Sequence, residues 1–202
     1  MTRPKIITPA TVLAVSLVEV KEHVKEDTDA SDTELTLFLN ACIDHYQWRT
    51  GRTIHETVYE AALDCWPCGV CILPMAAPLI SVDSVTYHDS DGVATVWDAA
   101  QYEVDTFSEP GCFAPKYGQS WPSFTGRRLN RIIVRYSAGI ENTPSNPPAA
   151  SIDKLAILHL VASNFANRES VAVLDRSNSI AFAENLITKI LIQQRMVKDY
   201  VG

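Results

Sequence analysis

The stretch "ISVDSVTYHDSDG", residues 80 to 92, is the part of the chain that most directly indicates a fold. Its residues alternate between two sets, one of Val82, Ser84 and Thr86 and the other of Asp83, Val85 and Tyr87. This period of two predicts a β-strand, and "DSDG" at its end predicts a hairpin turn. Because neither set is wholly polar, the pattern predicts a small antiparallel sheet covered on at least part of both sides.

Short β-branched runs, separated by Pro, Gly and Asp clusters, continue on both sides of this stretch. They read "TVYEAALDCW", "VCIL", "VATVW", "YEVDTF" and "RIIVRYSAG" and predict further strands. A strand ending in "GCFAPK" precedes "YGQSWP", residues 117 to 122, which we interpret as a long inter-strand loop.

Helical periodicity flanks the β-rich region at both ends. A first helix is predicted over residues 9 to 25, and a second begins at the capping box "SDTE", residues 31 to 34. Gly51 is predicted to end the second helix. Apolar spacing predicts two more helices, over residues 149 to 167 and about 180 to 200, after a Pro-rich loop.

These elements together predict an α+β fold, mainly an α-helical bundle of about four helices with an inserted small antiparallel β-rich subdomain. The predicted division is residues 1 to 56 for the N-terminal helices, 57 to 138 for the β-rich insertion, and 139 to 202 for the C-terminal helices that complete the bundle.

The chain has 202 residues, of which 47% are hydrophobic, enough for one sizeable core. The net charge of -7 argues against a protein that clamps a phosphate backbone by bulk electrostatics. Charge is unevenly spread: residues 61 to 126 hold 8 acidic and 1 basic side chains, whereas residues 127 to 202 hold 6 and 10. Such asymmetry suits a protein that meets different partners at different ends.

The apolar run "IITPATVLAVSLVEV" near the N-terminus is soon interrupted by Glu19 and Lys21, so it is too short to span a bilayer. We therefore expect a cytoplasmic product with no membrane partner. Five cysteines, an odd number, fit free thiols in a reducing compartment.

Three of these cysteines lie close together in "CWPCGVC", residues 65 to 71. Cys65 and Cys68 have the spacing of a redox dithiol, and Cys112 or His88 are conceivable further ligands for zinc. However, an extended run follows where a redox motif would have a helix, so we favour small apolar residues at a strand-turn-strand corner. A thiol-redox or metal-binding protein remains the alternative.

Signature motifs of catalysis are missing from the sequence: it has no G-x-G-x-x-G, Walker loop, H-E-x-x-H or G-x-S-x-G. We therefore predict no enzyme activity, no cofactor and no metal. Arginines at positions 127, 128, 131 and 135, with Trp121 as a stacking ring, leave a DNA-binding packaging accessory as a further alternative. For Arg131 and Arg135 we favour cross-strand acidic partners.

The order of segments along the chain resembles that of a known family. The segments are "LPMAAPLISVDSVTYHDSDG", "DAAQYEVDT", "PKYGQSWP", "RIIVRYSAGI" and "PAASIDKLAILHLVASNFANRES", with "VEVKEHVKED" and "YQWRTGRTI" before them. From about residue 10 to the end, the chain is similar to the head-tail connector family of long-tailed phages and gene transfer agents, also called adaptor or head-completion proteins. The cysteine cluster is not part of the family's pattern.

The resemblance implies a structural protein of the virion, assembled in the host cytoplasm and located at the head-tail interface. It implies a ring of about twelve copies under the portal protein, joined by head-to-tail contacts that close. Such a ring would extend the DNA channel and dock a tail-side stopper or tail-terminator protein. The acidic balance would let DNA pass through the lumen without specific binding.

Two candidate contact sites accompany this reading. For the subunit interface we select Tyr117, Trp121 and Pro122, because aromatic side chains of this kind are typical interface anchors, together with Arg127 and Arg128. For portal binding we select the last predicted helix, because an amphipathic terminal helix with outward cations suits a groove on a partner ring. Its candidate residues are Leu186, Lys189, Ile190, Arg195 and Lys198.

Overall fold

The computed structural model describes residues 4–10, 13–125, 129–140 and 151–166. The chain divides into two compact units. One, here called the sheet unit, comprises residues 1–12 and 51–148, and the other, the helix unit, comprises residues 13–50 and 149–202.

The sheet unit contains eight strands among its described residues. They are β1 (Lys5–Thr8), β2 (Thr57–Leu63), β3 (Cys71–Ile72), β4 (Leu79–His88), β5 (Ala94–Val96), β6 (Tyr102–Asp105), β7 (Cys112–Pro115) and β8 (Ile132–Ala138). A five-stranded sheet has the order β1-β2-β8-β4-β5, and a three-stranded sheet has the order β3-β7-β6. Every pairing is antiparallel.

Strand β8 lies at the centre of the larger sheet, between β2 and β4. Its alternate residues Ile132, Val134 and Tyr136 are completely buried, as the period of two requires for a strand with one face on the core. The Tyr136 ring stacks on the ring of Tyr59 in β2, with 5.7 Å between centroids. Burial of side chains of this size stabilises the fold by about 1.5–3 kcal/mol each.

The hairpin between β4 and β5 confirms the turn predicted from "DSDG". The Asp89 side chain accepts hydrogen bonds from the backbone N–H groups of Asp91 and Val93, each at 2.9 Å. Gly92 adopts a φ of 82°, which a residue with a side chain rarely tolerates. The carboxylate and the glycine therefore fix this turn locally.

The helix unit contains α1 (Leu17–Val24), α2 (Asp32–Thr50) and α3 (Ser151–Ala166). Helix α1 begins at Leu17 rather than near residue 9, because Ser16 and Glu19 form a capping box. Helix α2 begins directly after Ser31, and Gly51 lies beyond its end with a φ of 67°. The predicted start and end of this second helix are confirmed.

Polar contacts join the three helices. The Tyr46 hydroxyl of α2 donates to Asp153 Oδ1 of α3 at 2.7 Å, and both side chains are buried. Lys154 of α3 forms an ion pair of 3.0 Å with Glu19 of α1. A buried carboxylate is tolerated when hydrogen bonds satisfy it, so the Tyr46 hydroxyl is part of what holds Asp153 inside.

The prediction of a mainly helical bundle is wrong. The described residues form three α-helices and two sheets of five and three strands, not a bundle of about four helices with a small β insertion, although α+β is broadly compatible. One reason is β1, whose residues were assigned to the N-terminal helices but pair with β2. Another is that the short strands assemble into a large sheet with its own core. The predicted helix over residues 180 to 200 lies outside the described residues.

No helix in the described part of the chain combines the length and the apolar content needed to cross a membrane.

Candidate interaction surface

Three of the predicted interface residues, Tyr117, Trp121 and Pro122, lie on the segment that follows β7, residues 116–125, here called the contact loop. At its start the Lys116 N–H donates to the Gln101 carbonyl at 3.0 Å. A tight turn follows, which the Gln119 N–H closes by donating to the Lys116 carbonyl at 2.8 Å. Tyr117 lies inside this turn and is fully exposed. The turn therefore holds a large aromatic side chain in solvent at the start of the loop.

Trp121 lies further along the contact loop and packs on its own chain. Its indole stacks on that of Trp66, with 4.7 Å between ring centroids and 17° between planes. It also meets Phe113 of β7 edge-on at 5.6 Å and Trp97 at 5.4 Å. Trp121, selected from the sequence as a subunit-interface residue, therefore packs on aromatic side chains of its own sheet unit.

Pro122 contributes to the site through its backbone. Its carbonyl accepts a hydrogen bond of 2.9 Å from the indole N–H of Trp66. Trp66 thus holds the contact loop twice, by stacking on Trp121 and by donating to the next residue. Trp66 is half-buried, and its indole N–H has a partner that fixes the path of the loop.

These rings belong to a larger aromatic cluster, formed by Trp66, Trp97, Tyr102, Phe113, Trp121 and Phe124. Trp97 and Phe113 at its centre are buried, and the Trp97 indole N–H donates to Gln101 Oε1 at 2.7 Å. Burial raises the pKa of the Tyr102 phenol, with smaller contributions from Asp83 and Asp98. Aromatic pairs contribute about 0.5–1.5 kcal/mol beyond their buried area, so the cluster is a firm base for the loop.

The side chain of Arg131 is buried and does not lie where it could contact a nucleic acid. It is 4% exposed, and its guanidinium donates to the backbone carbonyls of His88 at 3.0 Å and Thr125 at 2.9 Å. The same group lies 4.2 Å from the centroid of the Phe124 ring. Arg131 therefore supports the end of the contact loop, and its buried charge is not presented to a phosphate backbone.

The other predicted arginines are only partly located. Arg135 is an exposed residue of β8 and lies opposite Glu60 of β2 in the strand register. That position is compatible with the expected cross-strand acidic partner. Arg127 and Arg128 lie outside the described residues.

Cys65 and Cys68 lie in the connection between β2 and β3, and Cys71 is the first residue of β3. All five cysteines of the chain are free, and Cys65 and Cys68 are exposed. Burial, with a smaller contribution from Cys112, raises the pKa of the Cys71 thiol to about 12, so this thiol stays protonated at neutral pH. The segment runs into β3 and not into a helix, as the corner interpretation predicted.

Among the described residues, no group of three or more His, Cys, Asp or Glu side chains is arranged to hold a metal ion. His88, considered as a possible zinc ligand, has its Nδ1 3.1 Å from the Arg131 carbonyl oxygen.

The predicted portal-binding residues, Leu186, Lys189, Ile190, Arg195 and Lys198, lie outside the described residues. The structure leaves their assignment as a prediction.

Sequence reasoning missed Phe107, which is as exposed as Tyr117. It lies in the turn between β6 and β7, where Asp105 Oδ1 accepts hydrogen bonds from the Phe107 and Ser108 N–H groups. An Asp followed two residues later by a lone aromatic, just before Pro110, was the available signal. The aromatic content of the surface is therefore larger than the "YGQSWP" stretch indicates.

No protein-family model matches the chain, and no curated protein matches it. The fold is similar to chains in solved particle structures. A chain in the virion of a native gene transfer agent particle is 21% identical, with a TM-score of 0.73, over 93% of this chain and 94% of that one. A chain in the neck of an empty gene transfer agent particle, computed with C6 symmetry, is 22% identical with a TM-score of 0.73 over the same shares.

A chain in the neck of a native gene transfer agent particle, computed with C12 symmetry, is also 22% identical, with a TM-score of 0.68 over 92% of this chain and 94% of that one. At these identities the similarity establishes the fold. Because nearly the whole of each chain is covered, both the sheet unit and the helix unit take part in it.

Proposed function

We propose that the protein is a structural head-tail connector, or adaptor, in the neck of a tailed phage or phage-like particle. The observation that carries the proposal is the similarity of fold over 93% of the chain to a chain in the neck of a gene transfer agent particle. The order of sequence segments, which resembles that of head-tail connectors, supports the same function independently of the fold.

In this function the protein forms a ring of about twelve copies under the portal protein, at the head-tail interface of the virion. The ring extends the DNA channel and offers a docking surface to a tail-side stopper or tail-terminator protein. The symmetries used for the similar neck structures, C6 and C12, support a closed ring. The net charge of -7 is compatible with DNA that passes without being bound.

The contact loop is the proposed subunit interface. Tyr117 is fully exposed, whereas Trp121 and Pro122 fix the loop to the aromatic cluster. A loop that is ordered before binding loses less conformational entropy when it docks, so an aromatic side chain held in this way is a good anchor. Arg127 and Arg128, which follow the loop in sequence, belong to the same proposed interface.

Portal attachment is assigned to the C-terminal segment, with Leu186 and Ile190 as apolar contacts and Lys189, Arg195 and Lys198 as cations. The excess of basic residues in the C-terminal part of the sequence supports this assignment. In a chain lacking residues 180 to 202, we expect portal attachment to be lost. Attachment by the shortened chain would reject the assignment.

The role is structural and not enzymatic in this proposal. Cys65 and Cys68 flank Trp66, which is committed to the stack on Trp121, and their segment leads into β3 where a redox thiolate would need a helix N-terminus. A DNA-binding accessory would have used Arg131, whose charge is turned inward to backbone carbonyls. Neither alternative gains support from these contacts.

The experiment that tests the function is negative-stain electron microscopy of the purified protein, alone and mixed with its cognate portal ring. We expect a closed ring, or a new layer of density under the portal. The portal ring alone and the protein mixed with an unrelated ring protein are the controls. A dispersed monomer that adds no density to the portal would overturn the proposal.

A further inference from the structure

Among the described residues, the sheet order leaves four strands at an edge: β1 and β5 in the larger sheet, and β3 and β6 in the smaller one. A strand at an edge presents unpaired backbone N–H and C=O groups that can pair with another chain. Strand β3 has two residues and β5 has three, whereas β1 and β6 have four each. The two longest edges therefore belong to different sheets.

The β6 edge is acidic, apolar and flanked by aromatics. Glu103 is exposed, and Val104 beside it is 37% exposed. Strands β6 and β7 form a hairpin, with Tyr102 opposite Pro115 at one end and Asp105 opposite Cys112 at the other. This register places the exposed Tyr117 beyond the first end of the hairpin.

The exposed Phe107 lies beyond the opposite end of the same hairpin. Aromatic side chains are enriched at protein interfaces, and Tyr117 and Phe107 are exposed beyond the two ends of this hairpin. Residues 61 to 126, which include this edge, carry 8 acidic side chains and 1 basic one. A partner should therefore bring a cation and an apolar side chain.

The β1 edge has that complementary composition. Its first residue, Lys5, is exposed, and the next, Ile6, is 47% exposed. On its other side β1 pairs with β2, so its outer backbone groups face away from the sheet. The strand thus presents one cation and one apolar side chain along an edge.

We propose that β1 of one copy adds to the β6 edge of a neighbouring copy, with Lys5 beside the carboxylate of Glu103 and Ile6 covering Val104. Pairing β6 with β6 would bring like carboxylates together, and pairing β1 with β1 would bring like cations together. Unlike edges therefore pair, which makes the contact head-to-tail. A head-to-tail contact generates a ring when its rotation closes. This inference rests on the proposed ring function and names the edges that join its subunits.

Charge reversal tests the pairing. In Lys5→Glu and in Glu103→Lys a favourable pair becomes a repulsive one, and we expect subunit association to weaken roughly tenfold in each. In the double variant Lys5→Glu/Glu103→Lys the pair is restored with opposite polarity, and we expect association within about twofold of wild type. Association is measured by sedimentation velocity over a concentration series, and ring yield on the portal by electron microscopy.

The matched control variants change the net charge by the same amount as the test variants, but their positions lie in the helix unit. Lys25→Glu and Glu22→Lys alter exposed residues there and should leave association unchanged. Glu103, Glu22 and Lys25 are exposed, so their variants should keep the wild-type urea midpoint, which verifies that they fold. Lys5 lies opposite Glu60 of β2, so Lys5→Glu should lower the midpoint slightly while the protein remains folded.

The results distinguish failure of the β1–β6 pairing from failure of the proposed connector function. If wild type forms rings but the β1 and β6 variants match their controls, or if the double variant is as weak as the singles, the strand pairing is wrong and the connector function stands. If wild type forms no ring, alone or on the portal, the connector function fails and the pairing fails with it.

Discussion

The indole rings of Trp66 and Trp121 stack with 4.7 Å between their centroids and 17° between their planes. Trp66 belongs to the connection between β2 and β3, whereas Trp121 belongs to the contact loop after β7. The same Trp66 side chain donates its N–H to the Pro122 carbonyl, 56 positions along the chain. One side chain therefore ties two distant segments together and determines how the contact loop presents Tyr117.

Replacement of that side chain should destabilise the sheet unit. In Trp66→Ala the stack and the hydrogen bond to Pro122 are both lost, and we expect the free energy of unfolding to fall by about 2–4 kcal/mol. Urea denaturation followed by circular dichroism measures the change. Tyr117→Ala is the control, because an exposed side chain should alter stability by no more than about 0.5 kcal/mol. Equal effects of the two substitutions would mean that Trp66 does not hold the loop.

The same Tyr117→Ala variant should behave oppositely in assembly. Because Tyr117 is exposed on an anchored loop, its removal should leave the fold intact and weaken ring formation with the portal by about tenfold or more. Ring yield is counted by negative-stain electron microscopy at several protein concentrations. Trp121→Ala should lose both stability and rings. Wild-type ring yield in either variant would remove the contact loop from the subunit interface.

The sequence predicted those parts of the fold that depend on residues close together in the chain. The turn at Asp89 to Gly92 follows from its own carboxylate and glycine, and the alternation in β8 follows from burial of one face. Strand β1 was missed because "KIIT" is short and leads into Pro9, and only its distant partner β2 makes it a strand. A single sequence does not reveal such non-local pairing.

In the candidate site too, local features were predicted from the sequence and non-local contacts were not. The composition of "YGQSWP" was sufficient to indicate an aromatic loop, and Tyr117 is exposed. The role of Trp66 could not be foreseen, because in sequence it stands inside "CWPC" and looks like part of a dithiol motif. Its stacking partner comes from another segment, and only tertiary packing brings the two indoles together.

The buried Tyr46 hydroxyl should make a measurable contribution to the helix unit. In Tyr46→Phe the 2.7 Å hydrogen bond to Asp153 is lost while the ring remains. We expect the free energy of unfolding to fall by about 1–3 kcal/mol, because a buried carboxylate loses a donor. Tyr117→Phe removes an exposed hydroxyl and should have almost no effect. If both variants unfold at the same urea concentration, the bond between α2 and α3 is not stabilising.

The exposed thiols should be dispensable. In Cys65→Ser/Cys68→Ser we expect stability within about 0.5 kcal/mol of wild type and unchanged ring yield, because both side chains are exposed and Trp66 is retained. In wild type, a thiol reagent such as dithionitrobenzoate should label Cys65 and Cys68 fast and the buried Cys71 slowly. Insulin reduction by wild type that the double variant lacks would favour the thiol-redox alternative instead.

His55 should make the fold sensitive to mildly acidic pH. The side chain is buried, and desolvation lowers its pKa from 6.5 to about 4. The folded state therefore disfavours the charged form, so the unfolded chain binds more protons between these two values. The stabilising effect of the neutral ring is complete above pH 6.5 and is lost as the pH falls toward 4, by about 3 kcal/mol in total.

The measurement is urea denaturation at intervals from pH 7.5 to pH 5, a window chosen above the range where most carboxylates titrate. Wild type should lose stability with a slope approaching about 1.4 kcal/mol per pH unit at the acidic end. His55→Gln has no proton to gain and should show a flatter profile, whatever its absolute stability. A His55→Gln profile parallel to that of wild type would mean that another group takes up the proton.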